Sequence, residues 1–236
     1  MAAPSPSRVV RLPKQQRQGE ILDIASALFC ERGYAQTSMS EIAARLAVVE
    51  GTLYKHFDNK RQLLSRVLER WYARLQEEIA REFVGIRGDR ERLRYLVWRH
   101  LRALADDPRM CRLIFTEVRS EPTYLQSELY RLNKRYSGML VAVLRAGQRA
   151  GTFRASIAPE LVRDLVFGGI EHHVWGYLYG GRSLRADVLA DQIVDLVCAG
   201  IGRHAEAPDL DRQTERLAGL IGRLERIVPN KKQETP

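Results

Sequence analysis

The sequence predicts an all-α fold of nine to ten helices, on three observations. Apolar residues recur at helical spacing over long stretches. No run of two-residue alternation is long enough for a strand, and no Asn-Gly or Asp-Gly hairpin turn occurs. After Pro13 the next proline is Pro108. That one and the later Pro122, Pro159, Pro208 and Pro229 each fall at a break in the apolar periodicity, where helices start or stop.

The elements follow in order. Residues 1–17 carry Pro4, Pro6 and Pro13 with Arg8, Arg11, Lys14 and Arg17 and no acid, so they are expected to form a solvated, disordered basic arm. Ile21, Ile24, Ala25, Leu28 and Phe29 place one apolar face on a first helix that Gly33 ends in a left-handed conformation. Ser38 with Glu41 three residues on predicts a capping box for a short second helix with Ile42, Ala43 and Leu46 inside. A break at Ala47–Val49 leads to a third short helix, Glu50–Phe57, with Leu53 and Phe57 inward. Asp58 is the expected cap of a long helix from about Lys60, with Leu64, Leu68, Trp71, Leu75 and Ile79 on its stripe. Gly85 and Gly88 mark the next joint. Helices are then expected near 91–106, 109–119, 122–150, 159–180 and 187–203. Leu125, Leu129, Leu132, Tyr136, Met139 and Val143 form the stripe of the 122–150 helix, which Gly151 stops. A further amphipathic helix is expected over 209–228, with Leu217, Ile221, Leu224 and Val228 at 4, 3, 4 spacing.

Composition narrows the function classes. A chain of 236 residues, 45% apolar and 28% charged, can bury a large core, which excludes disorder of the whole chain. The net charge of +9 favours an anionic partner without naming it. Cys30, Cys111 and Cys198 are far apart and odd in number, so they read as small core hydrophobes rather than a disulfide or zinc framework. No signal peptide and no uncharged run of membrane-spanning length is visible, so the expected location is the cytosol, with no membrane partner. His172 and His173 are adjacent, hence about 100° apart on a helix, and do not chelate one ion easily. His100 and His204 have no partner at ligand spacing. No metal or cofactor is expected. No GxSxG, HExxH, Walker loop, GxGxxG after a strand or credible Cys/His pair is present, which argues against an enzyme.

The chemistry concentrates in residues 38–57, two short helices joined by a three-residue break, the size of a helix-turn-helix. Helices that short are not stable alone and need the first helix and the long fourth one as a platform. A protruding third helix fits the major groove of double-stranded DNA. Gly51 permits close backbone approach. Thr52, Tyr54 and His56 offer neutral donors for phosphates or base edges, and Lys55 offers a cation. Lys60 opens the next helix, whose N-terminus attracts phosphate. The same pattern also describes a plain helical subdomain with a solvated face.

Thr37-Ser38, Ile42-Ala43, and Gly51-Thr52-Leu53-Tyr54-Lys55-His56-Phe57 followed by Lys60 resemble the TetR family of bacterial transcriptional regulators over residues 18–64. The resemblance implies a helix-turn-helix head over 18–62 and a ligand-binding and dimerisation body over 63–206, with the amphipathic helix and tail over 207–236 outside the family pattern. It implies phosphate contacts from Thr37, Tyr54, His56 and Lys60, and base-edge positions for Ser38, Glu50, Thr52 and Lys55. Arg17 is the arm residue expected nearest the duplex. Two departures stand out. Family members usually have Gly-Val-Ser in the turn, where this chain has Ala47-Val48-Val49. Ala in a left-handed turn costs ~1 kcal/mol against Gly, and Val49 lacks the capping oxygen of Ser, about another 1 kcal/mol. Val49 is left to meet a thymine methyl, and Glu50 either accepts from cytosine N4 or helps exclude wrong sites.

The 159–180 and 187–203 helices are apolar nearly all round, so they are expected to be buried against a second copy in a two-fold four-helix interface. The expected interface residues are Leu161, Leu165, Gly168, Gly169, His172, Gly176, Ile193, Leu196 and Val197. The resemblance implies the same homodimer and a near-palindromic operator. It also implies an effector cavity, expected to include Trp98, Phe115, Tyr124, Tyr136, Met139, Phe167, Ile170 and His173. Segments 112–119, 145–154 and 169–173 are similar to the TetR-family repressors of fatty-acid degradation, which implies a fatty acyl-CoA effector. An efflux-type regulator with another apolar or cationic ligand is the alternative.

Overall fold

In the computed structural model, residues 13–119, 122–202, 214–215, 218–220 and 223 are described. Among them are nine α-helices: α1 Lys14–Arg32, α2 Met39–Arg45, α3 Glu50–Tyr54, α4 Lys60–Phe83, α5 Asp89–Asp106, α6 Pro108–Leu113, α7 Glu128–Arg149, α8 Pro159–Leu178 and α9 Ala186–Ile201. A π turn, Ile114–Val118, continues α6, and a single 3₁₀ turn, Tyr124–Gln126, precedes α7. The described residues contain no strand, only one isolated bridge between Phe153 and Gly202.

The head is built around a core of Ile21, Ala25, Leu28 and Phe29 from α1, Ile42 and Ala43 from α2, and Leu53 and Phe57 from α3 and its end. α4 serves both parts of the molecule. Its first half packs on α1, and its second half packs on α5 and α7. In the body, α5 lies between α7 and α9, and α8 packs on α7. The α5–α9 seam carries an antiparallel ladder at four-residue steps, in which Arg90, Arg94 and Trp98 meet Asp195, Asp191 and Asp187.

Several local expectations are revised. α1 begins at Lys14, because Pro13 supplies its carbonyl to Arg17 N–H, so the last residues assigned to the arm are helical. Residues 1–12 lie outside the described residues, as do His204 and the stripe Leu217, Ile221, Leu224 and Val228. Gly33 has φ 85° but ψ 160°, a glycine-only extended conformation rather than a left-handed helical one. Half of the capping box forms. Ser38 Oγ accepts from Glu41 N–H at 3.1 Å, while the Glu41 carboxylate pairs with Arg32 instead of turning back. Asn59, not Asp58, caps α4, its side chain accepting from Gln62 N–H at 2.8 Å. α4 buries Tyr72 more deeply than Trp71.

The expected 122–150 helix is shorter than its apolar stripe suggested. Ser127 accepts from Tyr130 N–H and starts α7 at Glu128, which leaves Leu125 68% exposed. Gly151 stops α7 with φ 78°. Cys111 is buried, and Cys30 and Cys198 are half-buried, all three as free thiols. No described helix is long and apolar enough to cross a membrane.

Candidate functional site

The turn between α2 and α3 is a Schellman motif. Val48 N–H bonds Ala43 C=O at 3.0 Å, and Ala47 N–H bonds Ala44 C=O at 3.1 Å. Ala47 takes φ 53°, the one positive φ outside glycine among the described residues. Val49 follows in extended geometry as a helix N-cap without a side-chain bond, 77% exposed. α3 closes at Tyr54, three residues before the expected end, and Lys55 and His56 continue as a turn. Leu53 and Phe57 are fully buried, so the outer face of this segment is fixed by two apolar anchors. Val49, Glu50, Gly51, Tyr54 and Lys55 are exposed, and Thr52 and His56 are half-buried.

His56 Nδ1 is buried without a protein partner. Its pKa lies below the ordinary histidine value, first through burial and then through Lys14, Arg17 and Lys55. The imidazole is therefore a neutral donor or acceptor among cations. Lys14, read from the sequence only as part of the basic arm, belongs to this cluster. Arg17 shares its guanidinium with Glu20 at 2.9 Å. Ser38 remains exposed while it caps α2.

Two of the phosphate-contact residues sit otherwise than the resemblance implies. Thr37 is 1% exposed, and its hydroxyl turns inward to the carbonyls of Leu28 (3.3 Å) and Gly33 (2.9 Å), where it ties the loop to α1. Lys60 Nζ donates to the carbonyls of Tyr34 (2.8 Å) and Thr37 (2.9 Å) and lies 4.3 Å from the Tyr34 ring centre. Its ammonium pins the loop that introduces α2, so in this structure it is a brace rather than an outward cation.

The body holds two separate spaces that share no lining residue. An inner cavity of about 30 Å³ is lined by Trp71, Tyr72 and Leu75 of α4, His100, Ala103 and Leu104 of α5, Asn133 and Tyr136 of α7, and Cys111, Ile114, Phe115 and Arg119. One helical turn further along α4 and α7, a half-open groove of about 350 Å³ is lined by Ile79, Phe83, Val84, Arg92, Leu96, Met139, Val143 and neighbouring alanines. From Asn133 to Ala146 on α7 the two span roughly 20 Å, at 1.5 Å per residue. Inside the cavity, His100 Nδ1 lies 3.0 Å from Tyr136 Oη. Burial, assisted by Arg119, pushes the His100 pKa down to about 3, so the ring is neutral. Burial likewise raises the phenols of Tyr72 and Tyr136.

Of the expected pocket residues, Phe115 and Tyr136 line the cavity and Met139 lines the groove. Phe167 packs behind the cavity, 4.7 Å from the His100 ring and 6.0 Å from Tyr136. Tyr124 sits at the rim, against Arg119 and Asn133. Three residues fall elsewhere. Trp98 Nε1 donates to Asp187 at 2.6 Å on the α5–α9 seam, Ile170 is in the core, and His173 is exposed on α8. Sequence reasoning missed His100, Asn133 and Arg119. The available signal was polar residues interrupting apolar stripes.

α8 exposes Leu161, Leu165, Gly168, Gly169, His172 and Trp175, Tyr179 just past its end is exposed too, and α9 exposes Leu196. Three residues assigned to the interface also have neighbours within the same chain. Ile193 and Val197 are half-buried against the chain's own core, and a Cβ at Gly176 would meet Arg182 of the same chain.

Comparison with known proteins decides the family. Residues 21–67 match the model for bacterial regulatory proteins of the tetR family, and residues 87–201 match a tetracyclin repressor-like C-terminal domain. The transcriptional repressor KstR2 of Rhodococcus jostii is 31% identical over 198 residues, covering 80% of this chain and 92% of that protein. The chain belongs to the TetR family. It is a DNA-binding transcriptional regulator whose body takes a small ligand. A fatty acid metabolism regulator protein of Bacillus subtilis is 24% identical over 188 residues, covering 80% of this chain and 97% of that protein. The fold is shared with the transcriptional regulator FadR of Bacillus subtilis in complex with stearoyl-CoA. There the TM-score is 0.70 and the identity 24%, over 78% of this chain and 98% of that one.

Proposed function

We propose that two copies of this chain form a repressor that holds a near-palindromic operator and releases it on binding a long-chain fatty acyl-CoA. The observation that carries the reading is the mostly apolar groove between α4, α5 and α7, with the small aromatic cavity one helical turn away along the same helices. The groove is half-open and carries Arg92 in its lining, and the cavity is rich in aromatic side chains. An acyl chain suits such a lining. The thioester-linked head group, too large and too charged to enter, stays at the open end, where Arg92 supplies a cation. α4 lines both the groove and the cavity and also packs on the head, so a ligand held there shifts the angle at which the heads are presented. The fatty acid metabolism regulator among the relatives supports this effector class. Trp71, Tyr72, Phe115 and Tyr136 would also suit a quaternary ammonium, but Arg119 in the same lining repels one.

The exposed stripe on α8, repeating at 161, 165, 168, 172, 175 and 179, supports the homodimer, because each position recurs on one face. Ser38, Val49, Glu50, Thr52 and Lys55 are the residues offered to base edges, and Tyr54 and His56 with Arg17 to phosphates. Thr37 and Lys60 reach the duplex only through backbone or after rearrangement.

The test is fluorescence anisotropy on DNA from upstream of the chain's own gene, with stearoyl-CoA, a ketosteroid or choline added in turn. Specific binding that falls steeply with salt and is relieved by stearoyl-CoA alone is the expected result. Relief by choline or the steroid instead would reject the acyl-CoA assignment.

A further inference from the structure

We infer that the effector carries a neutral oxygen at the end remote from its coenzyme A, and that Tyr72 and Gln76 of α4 donate hydrogen bonds to it. The inference deepens the acyl-CoA reading above and rests on it.

The groove and the cavity differ in chemistry. Arg92 is the one polar side chain in the lining of the groove. The cavity lining includes Tyr72, His100, Arg119, Asn133 and Tyr136. A space meant only for the methyl end of a saturated chain has no use for such groups, because a polar group buried beside hydrocarbon costs free energy unless it is hydrogen-bonded. Most of them are satisfied within the chain. His100 Nδ1 and Tyr136 Oη lie 3.0 Å apart, and Arg119 pairs with Glu171. Tyr72 is the exception. It is buried, and its hydroxyl lies 3.5 Å from Asn133 Oδ1, well beyond the roughly 2.7–2.8 Å of a good O–H···O bond. Burial raises its pKa, so the phenol stays a protonated donor.

The next turn of α4 repeats the pattern. Gln76 is four residues on from Tyr72 and shares its face of the helix. It falls between Leu75, which lines the cavity, and Ile79, which lines the groove, so it stands in the partition between the two. Its Nε2 is buried without a protein partner. Two donors on successive turns, one loosely bonded and one unbonded, therefore flank the route from groove to cavity. From Phe83 in the groove to Tyr72 in the cavity, α4 measures roughly 17 Å, which puts the oxygen near the far end of a long chain. The oxygen is neutral because the cavity lining has no cation to spare. Arg119 is committed to Glu171 and to the face of Phe115, and burial keeps His100 uncharged. A hydroxyl or a ketone fits, and a carboxylate does not. A hydroxyl also has Asn133 Oδ1 at hand as an acceptor for its own proton.

The test compares ligands of one chain length: stearoyl-CoA, 18-hydroxystearoyl-CoA and octadecanedioyl-CoA. Each is titrated, with anisotropy as the readout, into the full-length chain bound to DNA that it selects from a randomised pool. The hydroxylated ligand should release the DNA at roughly tenfold lower concentration than stearoyl-CoA, because a site built for a hydroxyl leaves its own donors unpaired around an analogue that lacks one. A plain apolar pocket gives the opposite order, since the buried hydroxyl would go unpaired. Tyr72→Phe and Gln76→Leu should each shrink the preference. A packing defect alone would weaken both ligands alike, and an unchanged ratio would overturn the assignment to these two residues. Gln76→Leu removes an unpaired donor, so it should hold or raise the melting temperature. A fall would reveal a partner for the amide and overturn its role. If stearoyl-CoA matches the hydroxylated ligand, or octadecanedioyl-CoA acts best, the neutral oxygen is overturned while the acyl-CoA reading stands. Release by none of the ligands ends that reading and the inference with it.

Discussion

The head and the body of this chain obey the same hydrophobic logic to different degrees of completion. In the head, α1, α2 and the segment through Phe57 bury their anchors in a shared core and turn mainly polar groups outward. In the body, α8 and α9 leave Leu161, Leu165 and Leu196 exposed, and α4, α5 and α7 leave a trough between them. The head lacks only DNA. The body leaves apolar surface uncovered on two sides, along α8 and α9 and in the groove. A region that is finished by itself keeps its geometry when it meets a partner, whereas an unfinished one has geometry to change. That places rigidity at the reading surface and adjustability where regulation is applied.

The strongest way to break this comparison is to hollow out the head. Phe57 is 1% exposed beneath α3. Phe57→Ala should cost about 3–5 kcal/mol and abolish specific DNA binding, while circular dichroism retains most of the helix signal of the body. Loss of the whole helical signal in one step would show that head and body are a single cooperative unit. The body is challenged at its exposed stripe. Leu165, 67% exposed, should tolerate Glu in the isolated chain but not in a dimer. Leu165→Glu should sediment as a monomer and bind operator DNA roughly a hundredfold more weakly, because two heads no longer act as one ligand.

Legibility in the sequence followed the same division. The head could be read because its signals are local: Ser38 at an N-cap, Leu53 and Phe57 four apart, and a short break that only a tight turn can fill. Even the strained alanine at 47 was readable, but only through the resemblance, since family members usually carry glycine where this chain takes its positive φ. What failed there were side chains with two good options. Lys60 and Thr37 choose backbone carbonyls inside the loop, which no spacing rule reveals. In the body, the helices were readable but the cavity was not. It is assembled from Trp71, His100, Arg119 and Tyr136, residues far apart in sequence. The π turn hid inside an apolar run that reads as ordinary helix, and Ser127 cut short a helix whose apolar stripe continues to Leu125.

The cavity also gives the body a pH signature, of the same sign as that of His56 in the head but at a more deeply buried ring. With its pKa near 3 in the folded chain, His100 binds a proton less readily than in the unfolded chain, where histidine titrates near 6.5. The unfolded state therefore takes up more protons between those values, and the contribution of His100 to stability is lost as the pH falls through that window. The slope has a ceiling of about 1.4 kcal/mol per pH unit for one proton. Urea midpoints measured at pH 7, 6 and 5 should fall in the parent and fall less in His100→Asn. Equal slopes would mean that the ring is protonated without penalty, and that the cavity is wetter than its lining implies.

The smallest effect sharpens the comparison from the side of the head, whose one unrelieved strain is the turn before α3. Ala47 occupies the position of a Schellman motif that favours glycine, and Val49 occupies an N-cap that favours serine. Ala47→Gly removes a Cβ penalty of about 1 kcal/mol and loses part of that gain to the greater freedom of glycine in the unfolded chain. Val49→Ser should add about 1 kcal/mol by offering an oxygen to an amide of the first turn of α3. Both should raise the urea midpoint of the head. They should differ on DNA: Ala47→Gly leaves the reading face intact and keeps its operator preference, whereas Val49→Ser removes an exposed apolar contact and relaxes discrimination at one base pair. A Val49→Ser protein that is more stable and equally selective would show that this valine is simply a poor cap.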